Sequence, residues 1–548
     1  SVMNLLDVLA KKTAQGETIR ERDVAFIEEE VVEDQESVNI KEGTVKREQV
    51  NPDRVRSKYR PGKRISKGVA VKGQGVNKTI TETDDLSVAY VKNQAPQAFI
   101  KNANILAKEE IVSGKKKFKE IKTLEEAQEV YDIFVREVAD NLIFLTQEFN
   151  QEYKEISSLW YDGANVLAQN LAKKYDVSEE QVAGIIASLS PQKDWYQNVR
   201  LAELTLMAYQ ANPVMTQEMV DFQQKVSDTG INTWKRQNKS KSRTKKYRED
   251  LQKKLLKVQE VQNNLTSLIG VKLKEADLAY QPYYVRTYSE LNVTKDYNVL
   301  RPDGQIAGVA SKKDGTNAKV AWGSYVEIGK AVSIYNDGSQ DNITKSLGEM
   351  HKIRNFYNNI IDPMSKDGDV TIDTHAVAAG LLKPLSGNST QVGNNFGTAA
   401  GNSPARGIKG TYYAYLEAYA LAAKELNLLP RQVQSITWEA VRGLYTDTFK
   451  RDKTKLKLIQ NIWNKYNTGE ITLNEARNET IKEGEGINDP TWAESIFTRA
   501  RKPAQDDGTR SDGVSGSIVR GSKGRDLESK SRQQKSEAGP KLMTAINL

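Results

Sequence analysis

The chain has 548 residues, room for two or three domains, yet 38% hydrophobic content and a mean hydropathy of −0.63 leave a folded body of roughly 300 residues. It contains no cysteine, which excludes disulfides and thiolate catalysis and fits a reducing compartment. No stretch of about eighteen apolar residues and no basic-then-apolar leader occur, so neither membrane insertion nor signal-peptide secretion is expected; the start at Ser1 fits a processed product or a fragment.

The net charge of +8, from 80 Lys and Arg against 72 Asp and Glu, is modest but uneven. Residues 1–120 read as a flexible charged arm, with an acidic patch from Glu28 to Glu36. Within the arm, residues 54–68 hold Arg54, Arg56, Lys58, Arg60, Lys63, Arg64 and Lys67 and no acid. Such a stretch is either a solvated linker or a holder of phosphates by counterion release.

Residues 121–211 carry the first helices of the core. Leu124, Val130, Phe134, Val138, Leu142, Leu145 and Phe149 form one long apolar face, and a second helix is expected from about Ser158 to Tyr175. A third is well marked: Ser178 as cap, Gln181 completing a capping box, and Val182, Ile185, Ile186 and Leu189 along one side. It ends at the turn Ser190-Pro191-Gln192, and Trp195 and Tyr196 follow as core residues or as a stacking platform for bases.

Residues 212–323 read as an insertion. Lys235 to Leu268 is expected to be a charged helix with Leu251, Leu255, Val258 and Val261 on a coiled-coil face. Eight basic residues and no acid lie between Lys235 and Arg248, with Tyr247 among them. Turn signals at Pro302-Asp303-Gly304 and Asp314-Gly315, beside Ile306 to Ala310 and Ala318 to Trp322, predict a small antiparallel sheet.

Residues 324–500 complete the core. A short helix from Asn342 to Leu347, capped by Asp341 or Asn342, stops at Gly348; a tight hairpin follows, and a helix from Lys352 to Ile361 carries Ile353, Phe356, Tyr357 and Ile360 at helical spacing. After a loop, Asp373 is placed to cap a helix with Val377 and Leu381 on one face, ending at Lys383-Pro384. Residues 386–410, rich in Gly, Asn and Ser, form a loop at a cleft mouth, without the pattern of a nucleotide-binding loop. Two further helices span Tyr412 to Leu426 and Pro430 to Leu444, and residues 501–548 are expected to be disordered.

The only two histidines, His351 and His375, fall in this last part, with Lys352 and Asp373 standing 21 positions apart between them. Two histidines without a third ligand make a poor zinc site, so no metal and no cofactor are assigned. A lysine at the positive end of a helix, partly withdrawn from water, is favoured toward the neutral nucleophilic amine, and a carboxylate opposite it can offset positive charge on a sugar. In so charged a chain, Asp373 also reads as nothing more than a helix cap.

Gly348-Glu349-Met350-His351-Lys352 and Thr371-Ile372-Asp373-Thr374-His375 resemble the hairpin and the aspartate motif of the helix-hairpin-helix base-excision DNA glycosylases. Ile185-Ile186-Ala187-Ser188-Leu189-Ser190-Pro191-Gln192 is similar to the family's helix and turn whose glutamine fills the hole left by a flipped base. Met350 stands where the family's hairpin usually has a second glycine, and without cysteine the iron–sulfur cluster of endonuclease III-like members has no ligands. Ser190 to Trp195 together with Lys352 to Asp373 also resemble a group of bacteriophage-encoded proteins.

The resemblance, over about residues 155–465, implies a mostly α, two-lobed glycosylase-like core with a coiled and β insertion. It implies Lys352 and Asp373 as catalytic residues, and Gln192, Gly348, His351, Lys193 and Trp195 as DNA contacts. The expected partner is DNA, alongside phage virion proteins, in a bacterial cytoplasm or a virion. The competing expectation is a virion or ejected DNA-associated protein that keeps the fold without turnover. A two-metal nuclease is disfavoured because no carboxylates cluster.

Overall fold

The computed structural model describes residues 39–40, 62, 64, 96–109, 120–312, 314–348, 351–366, 368–396 and 410–487. The expectations for the acidic patch, for most of residues 54–68 and for residues 501–548 lie outside the described residues.

Among the described residues the fold is mostly α-helical, as the apolar periodicity predicts. Helix α1 (Pro96–Leu106) belongs to the stretch read as an arm; it forms because Phe99, Ala103 and Leu106 recur at helical spacing and bury against α2 (Leu124–Glu148). Thr123 and Glu126 close a capping box on α2 that the sequence reading had not used. Helix α4 (Trp160–Tyr175) is the helix expected from about Ser158 to Tyr175, and a short helix α3 (Gln151–Ser157) precedes it. Helix α5 (Glu179–Ser188) has the expected Ser178/Gln181 capping box, and Val182, Ile185 and Ile186 are fully buried, worth roughly 1.5–3 kcal/mol each. Helix α6 (Trp195–Ala211) is capped by Asp194.

The charged helix expected over Lys235 to Leu268 is instead two helices. Helix α7 (Gln217–Gln237) ends at Asn238, and α8 (Lys245–Ser267) restarts after the Thr244 cap and runs back along α7. The break falls where Asn238, Ser240, Ser242 and Thr244 compete for the backbone as caps and turns. The stretch read as an insertion packs into the first of the two main cores, where α9 (Gln281–Asn292) buries Tyr283, Tyr284 and Val285.

The small antiparallel sheet forms with different partners from those expected. Strand β2 (Asn298–Leu300) pairs with β3 (Ile306–Ser311), and β1 (Asn39–Ile40) pairs with the other edge of β3. Ala318 to Trp322 contributes only single bridges and contacts. The β2–β3 turn sits on α4 so closely that a Cβ at Gly163 would lie 2.0 Å from the Pro302 carbonyl oxygen, which admits only glycine there.

Helix α10 (Tyr325–Asn336) leads to α11 (Gln340–Leu347), whose cap is Ser339 and not Asp341 or Asn342: Ser339 has extended backbone and its hydroxyl accepts from the Asn342 N–H. Helices α12 (His351–Ile361) and α13 (Thr374–Leu381) follow the sequence reading, and a short helix α14 (Thr390–Phe396) lies inside the expected loop. Helices α15 (Tyr412–Leu426) and α16 (Pro430–Leu444) have the expected bounds, followed by α17 (Asp447–Arg451), α18 (Lys453–Thr468) and α19 (Leu473–Glu483).

Buried apolar side chains gather in two main cores. One unites α4 to α12 with the sheet; the other unites α1, α2, α13, α15, α16 and α18. Polar ties cross between them: the Trp160 indole donates to Glu439 at 2.7 Å, and Arg431 pairs with Asp162 at 3.2 Å. Among the described residues, no helix is long and apolar enough to cross a membrane.

Candidate active site

The candidate residues fall on α12, from the first core, and on α13 and α16, from the second, and the charge of Lys352 on α12 is felt at His375 on α13. Gly348 leaves α11 at φ +61°, ψ −142°, a conformation that side-chain-bearing residues rarely adopt. The fully buried Arg354 closes this hairpin by donating to the carbonyls of Thr344 at 3.0 Å and Gly348 at 3.1 Å. Burial lowers its guanidinium to about 10, partly opposed by Tyr413 and Asp369. Glu349, Met350 and the His351 side chain lie outside the described residues.

Lys352 is the second residue of α12, so its ammonium stands at the helix N-terminus; its Nζ is 6.0 Å from the centre of the Phe396 ring. The same polar face of α12, with Asn355 and Asn359 three and seven positions after Lys352, fixes the segment that leads to Asp373. Asn355 accepts from the Val370 N–H at 3.2 Å, Asn359 donates to the Asp369 carbonyl at 2.8 Å, and Thr371 donates to Asn359 at 2.9 Å. From the other side, the Tyr412 hydroxyl accepts from the Ile372 N–H at 3.0 Å and donates to the Val370 carbonyl at 2.6 Å. The segment before Asp373 is therefore clamped between α12 and α15.

Asp373 caps α13, accepting from the Ala376 N–H at 2.8 Å. Its negative charge reaches Tyr161, whose phenol is pushed up first by burial and further by Asp373. His375, the second residue of α13, stands edge-on to Trp438 with centroids 5.9 Å apart. Burial holds this imidazole well below its usual range, and the positive charges of Lys450, Arg442 and Lys352 act in the same direction. His375 is thus neutral at neutral pH, and Lys352 is near enough to share its surroundings.

Aromatic rings line the junction. Trp195 and Tyr161 each meet Phe356 edge-on, at 6.0 and 6.4 Å, and Phe356 lies one turn after Lys352. Trp160 meets Trp438 edge-on at 6.1 Å, and the Arg442 guanidinium lies over Trp438 at 4.3 Å. Trp195 and Tyr161 thus both meet Phe356, one turn after Lys352 in sequence, and Tyr161 also feels the charge of Asp373. Gln192 sits at the turn three residues before Trp195, exposed and at φ +56°, with the partly exposed Lys193 beside it.

Trp438, Arg442, Lys450, Phe396 and Tyr161 had not been singled out for the site. Trp438 and Arg442 carried a legible signal: four apart on α16, they fall off the buried stripe of Val433, Ile436, Val441 and Leu444. Tyr161 carried none, since only the fold brings it to Asp373.

Residues 125–246 and 310–444 match the model of a family of unknown function (DUF7178). No curated protein and no solved structure matches the chain. The two segments similar to that family contain every candidate residue named from the sequence, and they leave out 247–309, which holds most of α8, all of α9, and β2.

Proposed function

We propose that the chain is a DNA-binding base-excision-type glycosylase with AP-lyase chemistry, of phage origin, working on the helix-hairpin-helix glycosylase plan with a nucleotide turned out of the duplex into the junction between the two cores. One observation carries the reading: Lys352 and Asp373 stand at the N-termini of two helices that a shared hydrogen-bond clamp fixes relative to each other, beside a set of aromatic rings.

In this reading Trp195, Phe356 and Tyr161 offer faces and edges for an extruded base. Lys352 gives up a proton, and its Nζ attacks the sugar C1′ as the bond from C1′ to the base nitrogen breaks, the electron pair leaving with the base. The Asp373 carboxylate offsets the positive charge that develops on the sugar. Opening of the sugar ring gives a Schiff base at Lys352; loss of a C2′ proton then expels the 3′ phosphate by β-elimination. Gln192 fills the vacated place in the duplex, Gly348 and His351 meet the backbone at the hairpin, and Lys193 adds a phosphate contact.

The test is base release and strand cleavage on oligonucleotides carrying uracil, 8-oxoguanine or an abasic site. Asp373→Asn keeps a good helix cap, so its loss of base release with an unchanged melting temperature supports the carboxylate's role. Full activity in both Asp373→Asn and Lys352→Gln would overturn the proposal.

A second reading is a phage virion or ejected protein that binds DNA without turnover. Met350 in the hairpin favours it, as do Lys352, Arg442 and Lys450 gathered about His375, a cationic wall that suits phosphate binding alone.

A further inference from the structure

We propose that the tip of the α7–α8 hairpin is a second, sequence-independent nucleic-acid contact, which grips the phosphate backbone away from the Lys352 site. All eight basic residues between Lys235 and Arg248 are solvent-exposed around the turn. The acids that follow pair back only to the start of α8, Glu249 with Lys245 at 3.7 Å and Asp250 with Lys246 at 3.3 Å. Among the described residues no carboxylate pairs with Lys235, Arg236, Lys239, Lys241 or Arg243. Among the described residues, the turn from Lys235 to Arg243 thus concentrates positive charge without a paired carboxylate.

It is also stiff. Trp234 at the end of α7 stacks on Tyr247 at the start of α8, with centroids 4.8 Å apart and planes 25° apart, and Lys254 Nζ lies 5.7 Å from the Trp234 ring centre. The Arg248 guanidinium donates to the Arg243 carbonyl at 3.1 Å across the turn. Fixing the turn in advance spares the ordering cost that a free basic tail incurs on binding.

The shape selects the mode of contact. Two helices side by side, with axes about 8–10 Å apart, present an end roughly 20 Å across, wider than the ~12 Å major groove of DNA. The tip therefore rests on phosphates and does not read bases. An anionic membrane is the other polyanion surface, but membrane insertion needs apolar side chains, and from Lys235 to Arg248 the only ring is Tyr247, held in the stack. Helix α7 is about 30 Å long and has buried residues as far as Thr233, and the basic turn that follows is its solvent-exposed end.

The proposal does not depend on glycosylase chemistry, and the experiment separates the two. The full chain and a variant with Lys239, Lys241, Arg243 and Lys245 all changed to Gln are titrated by fluorescence anisotropy onto an undamaged duplex of about 30 base pairs and a single strand of equal length, between ~50 and ~200 mM salt. The exposed substitutions leave helical circular dichroism and the melting temperature unchanged. The variant is expected to bind at least tenfold more weakly at about 100 mM salt, with its log–log salt slope reduced by about 3 units. A loss on the duplex, on the single strand or on both assigns the form of nucleic acid the tip holds. Equal affinity and slope for parent and variant on both would overturn the proposal. So would no binding by the parent at the lowest salt, or a loss confined to anionic phosphatidylserine vesicles. Lys352→Gln is expected to keep the parent's salt slope to within about one unit, so failure of the lysine chemistry would be read independently.

Discussion

Arg431 of α16 and Asp162 of α4 form an ion pair at 3.2 Å with both side chains almost completely buried, and each belongs to a different core. The guanidinium also donates to the Ser158 carbonyl at 3.0 Å and to the Pro363 carbonyl, so it joins α3, α4 and the end of α12 to α16. Removing one partner of such a pair leaves an uncompensated buried charge. Asp162→Ala is expected to lose about 3–5 kcal/mol in denaturant unfolding. A loss below about 1 kcal/mol would mean that apolar packing alone joins the cores.

Gly348→Ala isolates the backbone cost of the hairpin. An added Cβ would meet nothing nearer than the Lys345 carbonyl oxygen at 3.9 Å, so the penalty is conformational and not steric crowding. At φ +61°, ψ −142° it is expected to be about 1–3 kcal/mol, measured as a shift in unfolding free energy. A neutral result would indicate that the loop re-forms around alanine.

Gln192→Gly separates stability from binding at one position. Relief of the left-handed backbone at φ +56° is expected to leave stability unchanged or raised by about 0.5–1 kcal/mol. If Gln192 fills the duplex, affinity for DNA with an abasic site falls in the same variant. Unchanged affinity there removes the wedge role.

The environment of His375 predicts a pH dependence. Its imidazole resists protonation in the folded chain, through burial and then the charges of Lys450, Arg442 and Lys352, whereas in the unfolded chain it protonates near pH 6.5. The unfolded state binds the extra proton, so stability falls as pH drops below about 6.5, by up to about 1.4 kcal/mol per pH unit from this group. His375→Gln is expected to flatten the stability profile between about pH 7 and pH 5. An identical slope in the variant would mean that other groups govern acid sensitivity.

Features written in consecutive residues were legible. The Ser178/Gln181 capping box, the stop at Gly348, the Asp373 cap and the bounds of α15 and α16 each follow from local chemistry within a few positions. What depends on distant partners was not. Asn39 and Ile40 pair with β3 some 270 positions on, Tyr283 to Val285 enter a core that their charged neighbourhood disguised, and Tyr161 meets the Asp373 environment across 212 positions. The break between α7 and α8 was written in the sequence as Asn, Ser and Thr, but the surrounding charge periodicity masked it.

Borohydride trapping on an abasic-site oligonucleotide tests the central claim most directly. The wild type is expected to give a covalent protein–DNA adduct that vanishes in Lys352→Gln and persists in Asp373→Asn, since reduction captures the Schiff base after the base has gone. An undiminished adduct in Lys352→Gln, or none from the wild type under conditions where the DNA is bound, would contradict the assignment of Lys352 as nucleophile and leave the DNA-binding module without turnover as the better account.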